Sequence, residues 1–401
     1  DTETLQILHA IRDNLPLKEV PPVSKDQYLF SQEEMEQIFE ERFPQSLLNL
    51  EKLVANVSYQ FDTDLKLPRF SRDKPAVVEL KELAQKGLVE KKLLSDDYQK
   101  RLSDELAVIH QMGFDDYFLI VWDLLRFGRS QHYYMGMGRG SAAGSLVAYA
   151  LDITGIDPVK NDLLFERFLN EERYSMPDID IDLPDIYRSQ FLNYVRDRYG
   201  STHSAQIVTF STFGARQAIR DVFKRFGATE YELSQITKKI SFRDNLTSVY
   251  DKKIAFRQLI NSKIEYQRAF EIAKKIEGNP RQTSIHAAGI VMSDDNLTDH
   301  IPLKTGEEMM ITQYDAPAVE ANGLLKMDFL GLRNLTFIQK MQEKVAQDYG
   351  RAIDIRAIDL EDKETLALFA AGDTKGIFQF EAAGAINLLK RIKPSRFEEV
   401  V

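Results

Sequence analysis

Three carboxylates alternate with apolar residues in Pro177-Asp178-Ile179-Asp180-Ile181-Asp182. In a β-strand successive side chains point to opposite faces, so Asp178, Asp180 and Asp182 would share one face and Ile179, Ile181 and Leu183 the other. Neighbouring carboxylates on that face stand roughly 6.6 Å apart at the backbone. Such crowding is unfavourable unless a cation sits between the charges. A hard divalent ion meets that need: Mg²⁺ takes oxygen ligands and is commonly held by one or two carboxylates plus substrate phosphates. A solvated acidic edge or a Ca²⁺ loop would use the same residue types. The flanking isoleucines argue against a loop, and the EF-hand glycine is not at its place. The run Leu324-Leu325-Lys326-Met327-Asp328-Phe329-Leu330 reads as a second short buried strand, with Lys326 and Asp328 on one face. A third carboxylate beside an ammonium suits a site where two metal ions and a polyphosphate meet.

A phosphate cradle is the third element. Gly136-Met137-Gly138-Arg139-Gly140-Ser141-Ala142-Ala143-Gly144-Ser145 precedes a helix-compatible run, Leu146-Val147-Ala148-Tyr149-Ala150-Leu151. Glycines let the backbone approach a ligand, and a helix start directs free N–H groups outward. Ser141 is the expected N-cap, and Arg139 adds positive charge. The spacing is neither that of a Walker A loop nor that of a dinucleotide-binding fingerprint.

Together these residues carry a family likeness. The chain resembles the C-family replicative DNA polymerases, the α subunits of bacterial DNA polymerase III. The likeness lies in Met112-Gly113-Phe114 through Tyr117–Asp123, in Gly138–Tyr149, and in Phe165–Asn170 running into Met176-Pro177-Asp178-Ile179-Asp180. It continues in Ile285-His286-Ala287-Ala288-Gly289, in Gln313-Tyr314-Asp315 through Leu325–Leu332, and in Gly372–Gln379, which looks like the start of that family's fingers. The resemblance implies an α+β, multidomain protein: a mixed-sheet palm of the nucleotidyltransferase (polymerase beta-like) type with a helical thumb insertion. It implies Asp178, Asp180 and Asp328 as catalytic, metal-holding carboxylates. It also implies Gly140 and Ser141 near the incoming triphosphate, and Arg167 and Lys326 as basic residues beside them. Asp182 stands where some relatives carry Asn and is not assigned as a ligand. Met137 replaces a frequent Pro and Leu183 a frequent Phe; neither change removes a charge or a phosphate donor.

The implied reaction is two-metal transfer of dNMP to a primer 3′-hydroxyl, with Mg²⁺ as the ion and Mn²⁺ able to substitute. The implied partners are primer-template DNA, dNTPs and replisome proteins such as the sliding clamp, in a cytoplasmic, nucleoid-associated setting. Another nucleotidyltransferase with the same palm, or a catalytically incomplete DNA-binding fragment, is the alternative. The sequence has no initiator Met and is expected to be a piece of a larger protein, inactive or weak by itself.

Composition sets the outer bounds. The chain has 401 residues, 43% hydrophobic and 28% charged, which is the balance of a globular protein. No run reaches the length of a membrane-spanning helix. Zero cysteines exclude disulfides and thiolate zinc sites. The six histidines include no pair at metal-ligand spacing. Net charge is −10, yet Arg216 to Arg281 holds 15 Lys and Arg against 8 Asp and Glu, a net of +7, which leaves −17 for the remainder. A basic block in an acidic chain is the footprint of a nucleic-acid backbone contact. Lys238 and Lys239 are the DNA-binding candidates within it.

Periodicity supplies the elements that must position these groups. Helices are expected over 2–15, 32–43, 45–54 and 97–127, over most of 214–280 with 249–276 the longest, and over 360–371. Strands are expected at 176–183, 206–210, 285–292, 309–313 and 324–330. The expected organisation is a palm over 1–207, with 1–66 alternatively the tail of a preceding domain, a thumb over 208–284, the returning palm over 285–337, and the start of the fingers over 338–401.

Overall fold

The architecture follows from two kinds of apolar pattern, one of period two and one of period near 3.6. The computed structural model describes residues 2–25, 27–60, 62–170 and 176–400, with Arg356 described by its backbone alone. Residues 171–175, which join the Phe165–Asn170 and Met176–Asp180 stretches of the family likeness, lie outside the described residues. No helix among the described residues is long and apolar enough to cross a membrane.

The period-two stretches form one six-stranded sheet. The strands are β1 (Ile181–Pro184), β2 (Ser204–Thr212), β3 (Pro280–Met292), β4 (Leu303–Lys304), β5 (Met310–Thr312) and β6 (Leu325–Leu332). Their spatial order is β1-β6-β3-β2-β5-β4. β1 runs parallel to β6 with Ile181 opposite Phe329, and β3 runs antiparallel to β6 with Gly289 opposite Asp328. β2 pairs parallel with β5, which pairs antiparallel with β4, so the sheet is mixed.

The chain divides into two compact units. One comprises Asp64–Ile207 and Ala287–Val401; the other comprises the chain up to Thr63 together with Val208–His286. The sequence led us to expect a first palm segment over 1–207, with residues 1–66 alternatively the tail of a preceding domain. Instead Ile7 and Ala10 are fully buried, and Ile7 shares a core with Ile219, Phe223 and Phe270. The amphipathic helix Thr2–Asp13 covers the apolar faces of Ala215–Arg225 and Ile264–Ile276, a contact between distant stretches that no local pattern encodes.

In the sheet-containing unit the helices Asp96–Gln111, Asp115–Ser130 and Arg188–Tyr199 bury Leu102, Ile109, Tyr117, Phe118, Phe191 and Val195 in a core with β1 and β6. Alternation in β6 sends Leu325, Met327 and Phe329 into that core and leaves Lys326, Asp328 and Leu330 half-buried on the opposite face. At β6 one face is thus closed by helices and the other carries Lys326 and Asp328; further across the sheet a second apolar cluster gathers Ala205, Ile207, Val291 and Val319.

Three expected elements differ. The helix expected over 97–127 is two, Asp96–Gln111 and Asp115–Ser130, with Gly113 at φ +77° between them. The strand expected at 176–183 is shorter: β1 begins at Ile181, and Asp178 and Asp180 lie on the irregular chain leading into it. The long helix expected over 249–276 is three helices, Leu246–Lys252, Ile254–Ile260 and Ile264–Ile276. Lys253 and Lys263 adopt extended backbone between them. The Ser262 hydroxyl donates to the Leu259 carbonyl at 2.6 Å, the local side-chain bonding by which Ser competes with helix.

Candidate active site

The carboxylate arrangement is built by alternation plus one long-range anchor. Ile179, Ile181 and Leu183 are buried, so the intervening Asp178, Asp180 and Asp182 turn to the other side. Ile179 is not held by a strand ladder. Its amide donates to the Tyr117 hydroxyl at 2.9 Å, from within the Asp115–Ser130 helix. That bond fixes the backbone between Asp178 and Asp180. Burial drives the Tyr117 pKa upward, with Asp178, Asp180 and Asp328 adding to the effect, so the phenol stays protonated.

β6 delivers the third carboxylate. Oxygen atoms of Asp178, Asp180 and Asp328 all lie within 4.8 Å of one another. This is the spacing expected of groups that share two ions about 3.5–4 Å apart. Two cationic side chains balance the cluster. Lys326 Nζ stands 2.6 Å from Asp328 Oδ2. Arg139 forks, placing Nη2 3.0 Å from Asp180 Oδ2 and Nε 3.0 Å from Asp182 Oδ2. Asp328 Oδ1 and Asp182 Oδ1 are buried with no hydrogen-bond partner. A buried carboxylate oxygen without a donor is costly. At Asp328, beside two further carboxylates, a cation is the chemistry that satisfies it.

Protonation follows the same logic. Burial pushes Asp180 above the usual carboxylate range; Arg139 pulls it down, and Asp178, Asp182 and Asp328 push it up again. Asp182 is likewise raised by burial, against the pull of Arg139. Burial works against the Lys326 ammonium, but Asp328 and then Asp178 and Glu320 outweigh it, so its pKa rises. The same holds for Arg139, where burial is outweighed by Asp182, Asp180 and Asp178. Both cations are therefore fully charged at neutral pH.

The glycine segment abuts this cluster. The Gly136 amide donates to the Asp182 carbonyl at 2.9 Å, and a Cβ at Gly136 would stand 2.5 Å from the Asp182 Cβ. Gly140–Gly144 form a 3-10 turn, and Gly140 adopts φ +73° with open space around it. Ser141 is not the helix N-cap. The helix is Leu146–Ala150, and its cap is Ser145, whose side chain accepts from the Ala148 amide at 3.1 Å. The amides of Leu146 and Val147 are buried and bound to Glu105 at 3.0 Å each. The helix start is thus already satisfied by protein. The groups left open toward a ligand are the exposed Gly140 and Ser141 of the turn. Arg167 ends a second turn, Phe165–Arg167, packed against the first, with its side chain exposed.

Of the site residues expected from the sequence, Asp178, Asp180, Asp328, Lys326 and Arg139 form one cluster, and Gly140, Ser141 and Arg167 lie on the turns beside it. Lys238 and Lys239 belong to the helical unit. Lys238 is exposed and lines a cavity of ≈ 440 Å³ with Arg216, Arg220, Ser234 and Thr237. Lys239 is half-buried, and its carbonyl accepts from Lys253. Several cations of the block are paired internally, among them Lys263 with Glu232 and Arg281 with Asp221. Glu105 and Tyr117 were not singled out from the sequence, although each places a polar group on an apolar helix face.

Comparison with known proteins agrees with this geometry. Residues 78–331 match the family model described as the bacterial DNA polymerase III alpha NTPase domain, and residues 334–401 match that of the bacterial DNA polymerase III alpha subunit finger domain. The chain is 74% identical over all 401 residues to a DNA polymerase III subunit alpha of Streptococcus pyogenes, covering 39% of that protein. It is 42% identical to that of Halalkalibacterium halodurans, with 100% of this chain and 37% of the relative covered. It is 48% identical to that of Bacillus subtilis over 76% of this chain and 28% of the relative. The chain therefore spans about two-fifths or less of the length of these relatives.

Proposed function

The chain belongs to the bacterial DNA polymerase III alpha family, and from that premise we propose that it forms the catalytic core of a template-directed DNA polymerase. The reaction is transfer of dNMP from a dNTP to a primer 3′-hydroxyl with release of pyrophosphate. The observation that carries this reading is the convergence of Asp178, Asp180 and Asp328 within 4.8 Å, with one buried oxygen of Asp328 unpaired.

Two Mg²⁺ ions, with Mn²⁺ able to substitute, would activate the primer hydroxyl and neutralise charge developing on the β and γ phosphates. Asp178, Asp180 and Asp328 hold those ions. Lys326 and Arg139 supply fixed positive charge beside them. Gly140 and Ser141 offer backbone amides and a hydroxyl to phosphate oxygens, and Arg167 offers a guanidinium. Alignment of this kind accounts for ~7–11 kcal/mol of a barrier. The helical unit contributes the DNA contact: Lys238, Arg216 and Arg220 meet duplex phosphates with little sequence preference. The setting is the bacterial cytoplasm at the nucleoid, with replisome proteins such as the sliding clamp as partners.

Primer extension by the full-length protein tests this. Asp180→Asn and Asp328→Asn should each abolish extension while leaving the thermal midpoint and primer-template affinity near those of wild type. Extension near the wild-type rate by either variant refutes the assignment.

A further inference from the structure

Glu105 carries an unexplained charge. It sits on the Asp96–Gln111 helix, on the stripe with Leu102, Ile109 and Met112 that faces the core, and it is 1% exposed. A carboxylate there is tolerated only when fully hydrogen-bonded. Glu105 reaches that condition with four donors. Oε1 accepts from Arg101 Nε at 2.6 Å and from the Leu146 amide at 3.0 Å. Oε2 accepts from the Ser145 hydroxyl and the Val147 amide, both at 3.0 Å. Burial raises its pKa; Arg101 and the two amides pull it down. Four donors leave no place for a proton on either oxygen, so the bound form is the carboxylate.

Arg101 extends the link. Its Nη2 donates to the Gly144 carbonyl at 3.0 Å and to the Leu163 carbonyl at 3.1 Å. Gly144 closes the turn that carries Gly140 and Ser141. Leu163 lies two residues before Phe165, the first residue of the turn that carries Arg167. A Cβ at Gly144 would lie 2.5 Å from the Leu164 carbonyl oxygen, so the two turns are in direct backbone contact. One ion pair on one helix thus ties both turns and the helix behind them.

We propose that Arg101 and Glu105 are positioning residues for the nucleotide triphosphate. They fix Gly140, Ser141 and Arg167 in a single geometry without touching the nucleotide, a role that rests on the polymerase reading above. Gln at position 105 keeps one accepting oxygen and replaces the other with an NH₂ group. Two of the four donors, buried ones, are then left unpaired. Lys at position 101 keeps the charge beside Glu105 but cannot bond it and both carbonyls through a planar fork.

The test is steady-state primer extension by the full-length protein carrying Glu105→Gln, Arg101→Lys or both, with primer-template affinity and thermal midpoint measured in parallel. The dNTP KM of each single variant should rise about tenfold or more, the scale typical of residues that orient a binding group. kcat should change less than KM, and primer-template Kd should stay within about twofold, as expected when only the nucleotide site loosens. The double variant should be no worse than Glu105→Gln alone, because the two side chains act through one another. Should Glu105→Gln not fold, Arg101→Lys decides. A wild-type dNTP KM in folded Arg101→Lys overturns the proposal, as does a parallel loss of KM, kcat and DNA affinity. Two controls separate this from the reading beneath it: no extension by the wild-type protein would overturn the polymerase reading instead, and extension near the wild-type rate by Asp180→Asn would overturn the carboxylate assignment.

Discussion

Replacing Tyr117 with Phe isolates the bond that holds the chain between Asp178 and Asp180. Tyr117 is 1% exposed and Ile179 is 2% exposed, so the hydroxyl and the Ile179 amide meet away from water. Phe fills the same space apart from one oxygen, so the cavity term is small. What remains is an unpaired buried N–H, which costs about 1–3 kcal/mol. For a domain of this size each kcal/mol moves the thermal midpoint about 2–4 °C, so Tyr117→Phe should lower it by about 2–12 °C. The functional effect goes further, because Ile179 lies between Asp178 and Asp180. A loosened backbone there should weaken Mn²⁺ binding about 10–100-fold, the range seen when groups that orient metal ligands are removed. The assays are thermal unfolding and calorimetric titration with Mn²⁺. Tyr98→Phe is the control: it loses a 2.7 Å bond to Asp157, a bond that involves neither the three carboxylates nor the Ile179 amide, and should leave Mn²⁺ affinity unchanged. Mn²⁺ affinity equal to wild type in Tyr117→Phe would show that strand pairing alone holds the pair, and the reasoning would fail.

Three further outcomes are expected. Gly140→Ala places a Cβ at φ +73°, which costs about 1–2 kcal/mol in backbone strain; dNTP KM should rise while primer-template affinity is retained, and an unchanged KM would remove the turn from the phosphate site. Lys238→Glu should weaken duplex binding and reduce the salt slope by about one, whereas Lys239→Glu, at a half-buried position, should do less; equal effects from both would contradict the placement of their side chains. Hydrogen bonding to Lys253 holds Asp244 down from 3.8 to about 2, so its contribution to stability is present above 3.8 and lost as pH falls through 2. Asp244→Asn should therefore flatten the dependence of the thermal midpoint on pH within that window, and a slope like that of wild type would count against the pair.

Much of the site is legible because it is periodic. Alternation of Asp with Ile, and of Lys326 and Asp328 with Met327 and Phe329, follows from the two-residue repeat of extended chain, and burial of the apolar partners leaves the charged set one face to occupy. The same repeat misjudged the strand's length. Among the described residues β1 is an edge strand paired with β6, and the ladder begins at Ile181 and does not reach Asp178 and Asp180. The Ile179 amide finds a phenol instead of a backbone carbonyl. Residues 1–63 were misplaced for a related reason: an amphipathic helix declares that it has an apolar face, not which distant helices will cover it.

The groups that hold the site in shape are set by contacts far apart in sequence. Tyr117 lies 62 residues from Ile179, Glu105 lies 40 to 42 from Ser145, Leu146 and Val147, and Arg139 lies 43 from Asp182. No window of the sequence contains both members of any of these pairs. A trace of them is nevertheless present. Leu102, Glu105, Ile109 and Met112 recur at helical spacing, so the carboxylate stands on the stripe that must be buried. A charge in that position requires partners of its own, because solvent is excluded. Those partners prove to be the start of the very helix that the glycine pattern had suggested as a phosphate site. The buried acid occupies the Leu146 and Val147 amides, so the groups that remain open are those of Gly140 and Ser141, six residues upstream. Reading the apolar stripe for the residue that violates it locates a support of the site, as reading the glycines for their freedom locates the cradle.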